Sequence, residues 1–261
     1  MITNVTIGTD PEMFLIDRKI MAPISAVGRI PGTKKKPYHP KELRSGYAMQ
    51  TDNVLIEFNI PPKKTAQGLI ASINTMKNYI SDFVHNINPY YDIRCASSLY
   101  FNEHELESDQ AKEFGCDADF NCYTEKPNPK PEGDKTNLRT AGCHWHIGYD
   151  NPNEEESVKL VKYLDLYLGV PSVLHDGDVR RRELYGKAGC FRFQPWGVEY
   201  RTLSGLFISS DDMIRFCYNQ IKKAIDACNS NAPLPDPVFV IDAINNGNTE
   251  TAQMLIRKYK I

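Results

Sequence analysis

Three stretches far apart in the chain each carry a polar pair two residues apart. They are Glu57 and Asn59 in NVLIEFNI, His144 and His146 in AGCHWHIGY, and Glu199 and Arg201 in VEYRTL. In an extended strand the side chains at i and i+2 share a face, so each pair points one way. Glu12 stands just after Thr9-Asp10-Pro11, an acid among the apolar Ile7, Met13, Phe14 and Leu15. Carboxylates are hard oxygen donors suited to Mg2+ or Mn2+, and two imidazoles on one strand face can converge on a cation. The stretch Arg180–Gly205, RRRELYGKAGCFRFQPWGVEYRTLSG, adds arginines at 180, 181, 182, 192 and 201 among glycines at 186, 189, 197 and 205. Guanidinium forks grip phosphate oxygens two at a time. Acids that hold metal, ringed by arginines, imply a polyphosphate. No GxxxxGK[ST] loop is present, so metals and arginines would have to hold a nucleotide. Any one pair alone reads equally as a wet sheet face or a surface ion pair. Together they describe one sheet face lined by carboxylate, imidazole and guanidinium.

The elements that must position these residues follow from periodicity. Val5–Gly8 and Met13–Asp17 read as strands around a corner at Thr9-Asp10-Pro11, because proline biases the preceding residue away from helix. Tyr47–Gln50 and Asn53–Ile60 read as a hairpin turning at Thr51-Asp52, and Ala141–Tyr149 and Val198–Leu203 as strands. Thr65–Val84 is amphipathic, with Leu69, Ile73, Met76, Ile80 and Phe83 at helical steps, Thr65 as cap and Asn86 as stop. Asn153 caps a second helix, which Gly169-Val170-Pro171 ends. Ser210–Cys228, a short helix from Asp236-Pro237, and Thr249–Tyr259 complete the helices. Tyr91–Arg94 and Ser98–Phe101 read as short strands, GCDADFNCYT (115–124) as a polar turn and 125–137 as a loop. Residues 22–47, with Lys34-Lys35-Lys36, read as a solvated loop or, more sharply, a lid over an anionic ligand.

The chain has 261 residues, a net charge of −2 and a pI near 6.3. That balance gives no electrostatic case for nucleic acid or an acidic membrane. No apolar run reaches membrane-spanning length, and the N-terminus lacks a basic region followed by an apolar core. The seven cysteines form no framework pattern, which suits reduced thiols in a cytoplasm.

Taken in order, GTDPEMFL, LIEFN, GCDADFN, AGCHWHIGY and YGKAGCFRFQPWGVEYRTLSG resemble the carboxylate–amine ligases related to glutamine synthetase and glutamate–cysteine ligase. The nearest likeness is to the small COOH–NH2 ligase type 2 (amidoligase) branch found in tailed bacteriophages. The resemblance implies an α+β fold: one domain over residues 1–261, with a curved, largely antiparallel sheet of the glutamine synthetase catalytic type and helices on its convex face. It implies ATP-dependent amide formation through an acyl phosphate, on small-molecule or peptide carboxylates and amines. Glu12, Glu57, His144 and Glu199 would hold two or three Mg2+ ions, with Mn2+ as an alternative, and Asn59 would support them. Arg201, Arg192 and Glu57 would carry catalysis, with Arg201 on the transferring phosphoryl group. Arg182, Lys187, Arg192 and His146 would hold the nucleotide. The setting would be a cytoplasm, the host's if the chain is phage-encoded, with oligomerisation left open. Unlike glutamine synthetases, the chain has fewer nameable acidic ligands and no added domain to shape an ammonia site, so free ammonia is disfavoured as the amine. Two rival readings are a zinc hydrolase using His144, His146 and Glu57, with a thiolate from Cys116, Cys122 or Cys143, and a non-catalytic nucleotide-binding relative.

Overall fold

The computed structural model describes residues 1–112, 119–128 and 136–261. Ten strands form one open sheet in the order β3-β4-β1-β10-β12-β11-β7-β8, with β2 and β5 added beside β1. They are β1 (Thr6–Asp17), β2 (Ala22–Ile24), β3 (Ala48–Asp52), β4 (Leu55–Asn59), β5 (Tyr91–Arg94), β7 (Phe120–Asn121), β8 (Lys126–Pro127), β10 (Cys143–Gly148), β11 (Cys190–Gln194) and β12 (Gly197–Tyr200). Each of these pairings is antiparallel. A separate ribbon joins β6 (Ser98–Tyr100) to β9 (Leu138–Thr140). The helices are α1 (Ala66–Ile87), α2 (Asp109–Lys112), α3 (Glu154–Leu164), α4 (Val170–Ser172), α5 (Val179–Leu184), α6 (Asp211–Asn229), α7 (Pro237–Asn245) and α8 (Thr249–Tyr259).

The expected corner at Thr9-Asp10-Pro11 is absent: β1 runs straight through it. Up to Pro11 the strand pairs with β10, and at Glu12 it takes up β4. The amide of Ile7 bonds to Lys63 and that of Glu12 to Gly142 on the opposite side. By that alternation the nitrogen of Pro11, which has no proton to donate, faces away from β10. Proline is tolerated where no ladder bond is required of it. The β3–β4 hairpin turns two residues later than expected, at Asn53-Val54, where Asn53 takes a left-handed φ of 52°.

Alternation divides the sheet into two unlike faces. Ile7, Met13, Leu15, Ile56, Phe58, Cys143, Trp145, Ile147, Phe191, Val198 and Tyr200 join the stripes of α1, α3 and α6 in one buried cluster. Helix capping follows the sequence closely. Thr65 accepts from the Gly68 amide, Asn153 from Glu156 and Ser210 from Met213. The first of these helices runs on to Ile87, past the expected stop at Asn86.

Nor does Gly169-Val170-Pro171 end the helix after α3. A wide π turn over Asp165–Gly169 leads directly into α4, with Pro171 in its first turn. A π turn relaxes the i to i−4 bonding that proline cannot satisfy. It also places Asp165, fully buried, beneath the sheet. There Asp165 accepts from the Tyr200 hydroxyl at 2.7 Å and the Gly189 amide at 2.6 Å. Burial pushes its carboxyl up to about 7.

The loop after β2 is pinned rather than loose. Thr33 bridges to Thr51, Tyr38 to Met49, and Lys34 lies 3.1 Å from Asp52. The polar turn and loop expected over 115–137 fall partly outside the described residues, while Phe120–Asn121 and Lys126–Pro127 form two short strands.

Candidate functional site

The second face of the sheet collects the polar pairs. Strand register places His146 opposite Glu199, and Glu199 opposite Arg192 on the next strand. One row over, Asp10 lies opposite His144, and Arg201 follows directly after β12. A third row sets Glu12 against Glu57 and Glu57 against Gln50. Long-range pairing therefore converts three local i, i+2 patterns into one array.

The array is buried, not the wet sheet face that period two alone would suggest. Glu12, Glu57, His144, Glu199 and Arg201 are each 7% exposed or less. Packed over one end of this face are Phe14, Leu55, Phe101, Leu106, Ala111 and Ala141. Burial at this level makes charge pairing decisive.

Asp10 is the centre of one half. Its Oδ1 lies 3.1 Å from His144 Nδ1 and 3.1 Å from His146 Nε2. His144 Nδ1 also lies 3.2 Å from Arg201 Nη1. Arg201 pairs closely with Glu199 and places its Nε 3.5 Å from Asp119. Arg192 stands 3.6 Å from Glu199, and Gln194 donates to it at 2.9 Å. Burial pushes the Asp10 carboxyl up, but His146 and His144 outweigh it and hold it well below the usual carboxylate range. Burial and Asp10 likewise push Glu199 up, yet His144 and Arg201 bring it below its ordinary value. Burial pulls His146 down, while Asp10 more than offsets this and lifts it above an ordinary imidazole. The ring of Trp196 lies 5.1 Å from that of His146, at the rim.

Glu12 and Glu57 make up the other half, where acids face acids. Glu12 accepts from the Gly142 amide at 2.7 Å, and Glu57 from Gln50 at 2.9 Å. Burial and then Asp52 raise Glu12. Burial, Asp10, Asp52 and Glu12 together lift Glu57 well above the carboxylate range. Glycine at 142 is required by the ring of His144: a Cβ there would lie 2.8 Å from its Nε2. Beside Glu12 and His144 an open pocket of about 60 Å3 is lined also by Asp52, Arg139, Arg181, Tyr185, Gly186 and Arg201.

The structure thus brings together Glu12, Glu57, His144, His146, Arg192, Glu199 and Arg201. Asn59 shares the Glu57 face and is half-buried. Two expected nucleotide contacts do not join them. Arg182 turns inward from α5, donates to the Asp176 carbonyl at 3.1 Å and packs near Gly247. Lys187 is exposed and is not among the pocket's lining residues. On a helix, neighbours point about 100° apart, so Arg181 faces the pocket and Arg182 cannot. Asp10, Arg139 and Asp119 were missed at the sequence level, and Arg181 was singled out only as one of five arginines, with no role of its own. Asp10 had a usable signal, since it stands two residues before Glu12 on the same strand face.

Among the described residues one group fits a metal ion by distance: ligand atoms of Asp10, His146 and Glu199 lie within 4.8 Å of one another. Two carboxylates and one imidazole make a donor set that suits Mg2+ or Mn2+. The zinc set of His144, His146 and Glu57 does not assemble in this way. Cys122 and Cys143 lie in the helix-side core, and Cys116 lies outside the described residues. Among the described residues no helix is long and apolar enough to cross a membrane.

No curated protein sequence matches the chain. Residues 136–227, which hold His144, His146, Arg192, Glu199 and Arg201, match the family model described as phage phiEco32-like COOH–NH2 ligase type 2. That match, over about a third of the chain, is consistent with the family the motifs resemble.

Proposed function

We propose that the protein is an ATP- and Mg2+-dependent carboxylate–amine ligase, built on a catalytic sheet of the glutamine synthetase type and working in a cytoplasm. The observation that carries this reading is the convergence of Asp10, Glu12, Glu57, His144, His146, Glu199 and Arg201 on one buried sheet face. The family match of the segment carrying seven of the expected residues supports the same reaction class.

In this reading a substrate carboxylate oxygen attacks the γ-phosphorus of ATP and ADP leaves. The amine nitrogen then attacks the acyl carbon, loses a proton, and phosphate departs. Such transfers depend on positioning and charge neutralisation far more than on a covalent catalyst. Asp10, His146 and Glu199 would hold one divalent ion, and Glu12 and Glu57 offer carboxylates for a second. When bound, the metal neutralises phosphate charge. Arg201, fixed by Glu199 and Asp119, would present its fork to the transferring phosphoryl group, and Arg192 to the phosphates behind it. His144, whose Nδ1 lies 3.1 Å from Asp10 and 3.2 Å from Arg201, would help orient both.

The test is phosphate release from Mg·ATP against pools of amino acids, peptides and amines, with product mass spectrometry. An 18O label in the acid should appear in the released phosphate. Phosphate release that carries no label would remove the acyl-phosphate step. One tightly bound zinc, with no ATP turnover under any pool, would favour a hydrolase instead.

A further inference from the structure

Arg181 is 4% exposed and lines the pocket beside Glu12 and His144. Its Nη1 donates to the Thr202 carbonyl at 2.7 Å and its Nη2 to the Leu203 carbonyl at 2.8 Å. These carbonyls belong to the two residues after Arg201, so the guanidinium is locked to the end of the catalytic strand. Gly186 packs against it. An added Cβ there would collide with Nη1, and the glycine holds a φ of 70° as well.

Among the described residues no carboxylate lies within 4 Å of this guanidinium. The nearby acids are engaged elsewhere. Asp176 accepts from Ser97 at 2.6 Å and Ser204 at 2.7 Å. Glu12 is bonded to the Gly142 amide, Asp52 lies beside Lys34, and Asp119 lies beside Arg201. Asp176 and Glu12 act on Arg181 only through space, and burial lowers its guanidinium below the ordinary value. A buried cation satisfied only by neutral carbonyls is costly unless an anion joins it. The pocket is open, so an anion can reach it.

We propose that Arg181 forms a carboxylate subsite, which takes a second, unreacting carboxylate of the acid substrate. The identification of the anion as substrate rests on the ligase reading; the binding site itself does not. The planar guanidinium fork matches a carboxylate in two-point contact. The metal-fitting group of Asp10, His146 and Glu199 is not part of this pocket's lining, so the nucleotide phosphates belong on the far side of His144 and Arg201. Those two residues form the shared wall, touching the pocket on one side and Asp10 or Glu199 on the other. A molecule with one carboxylate at Arg201 and another at Arg181 fits this layout: a dicarboxylate, an acidic amino acid or a peptide with a free C-terminus.

The probe is glutarate, followed by calorimetry and thermal melting, with inorganic sulfate and Mg·ADP as comparators. Wild-type protein should bind glutarate more tightly than sulfate. Arg181→Met should weaken glutarate at least tenfold and leave Mg·ADP affinity within about twofold. Arg181→Lys should fall between the two. A folded Arg181→Met protein that binds glutarate like wild type overturns the subsite. So does a variant that loses Mg·ADP equally, or a wild type that prefers sulfate, because either result makes the pocket a phosphate site. Where Arg181→Met fails to fold, arginine Nε–H spectra of the wild type decide. Glutarate should shift a slowly exchanging Nε–H that Mg·ADP leaves in place, and no such shift overturns the proposal. Glutarate binding without any ATP turnover keeps the subsite and removes the ligase reading; turnover without glutarate binding does the reverse.

Discussion

Asp10 and Glu199 lie among cations, while Glu12 and Glu57 lie among other acids. All four line one sheet face, and their carboxyls move in opposite directions. The first two are held below the usual carboxylate range and the second two are raised above it. The first half is therefore largely neutralised internally, with His146 and Arg201 standing where a metal would otherwise be needed. The second half accumulates negative charge that burial penalises. A cation arriving at Glu12 and Glu57 displaces a proton held there by burial and like charge and then relieves repulsion, whereas one arriving at Asp10 and His146 must break an existing ion pair. Two sites can thus share one sheet face and differ in how strongly they draw a metal.

The largest effect should come from breaking the neutralised half. Glu199→Gln should cut ATP turnover by about 10²–10³-fold in phosphate-release assays. Because Glu199 is 3% exposed and paired with Arg201, the same change should also lower unfolding free energy by about 3–5 kcal/mol in urea titrations. Wild-type turnover in this variant would remove the metal and phosphate assignment from that half. Arg201→Lys should lose turnover comparably, since an ammonium has no planar fork to share between Glu199 and a phosphoryl group.

Metal titration sharpens the contrast. Asp10→Asn should weaken Mn2+ binding by about 10–100-fold, because in the proposed reading Asp10 would both ligate the ion and orient the histidines. Glu12→Gln should weaken a second, separately resolved Mn2+ site while leaving the first. If Glu12→Gln leaves every Mn2+ site intact, the acid-rich half is not a metal site.

The pH dependence follows from the signs. For Asp10 and Glu199, with folded values depressed, the stabilising contribution is present above the unfolded carboxylate pKa and is lost as pH falls through the folded value. For Glu12 and Glu57, with folded values raised, it is present below the unfolded pKa and lost as pH rises through the folded one. Metal-free protein should therefore lose stability from this half as pH rises above the carboxylate range. The double variant Glu12→Gln, Glu57→Gln should flatten that slope. An unchanged slope in chemical denaturation across pH 5–8 would contradict it.

The smallest effect should lie beneath the site. Tyr200→Phe removes the hydroxyl bonded to buried Asp165 and should cost about 1–3 kcal/mol in denaturation, with turnover within a few-fold of wild type. A much larger loss of turnover would mean that the Asp165 contact also sets the position of Glu199 and Arg201.

Period-two pairs were legible because strand alternation is a local property. That is how Glu57, His144, His146, Glu199 and Arg201 were recognisable before any contact was known. Asp10 was hidden by Pro11: the Asp-Pro pair carries a turn signal, and only pairing with β10 on one side and β4 on the other lets β1 run through it. Arg181 and Arg182 are indistinguishable in sequence, and the rotation of α5 separates them. Pro171 signalled a stop, but a π turn absorbed the missing bond. Burial of the polar face was not legible at all. It depends on the cover supplied by Phe101, Leu106 and Ala111, which come from stretches with little periodicity of their own.

The central claim is that this polar face holds a metal-bound triphosphate. Mn2+ electron paramagnetic resonance with and without ATP tests it most directly. The account predicts that wild-type protein binds Mn2+ far more tightly with ATP present, and that Glu199→Gln and Asp10→Asn abolish this gain while circular dichroism stays native. Equal Mn2+ binding with and without ATP, or an undiminished gain in both variants, would contradict it.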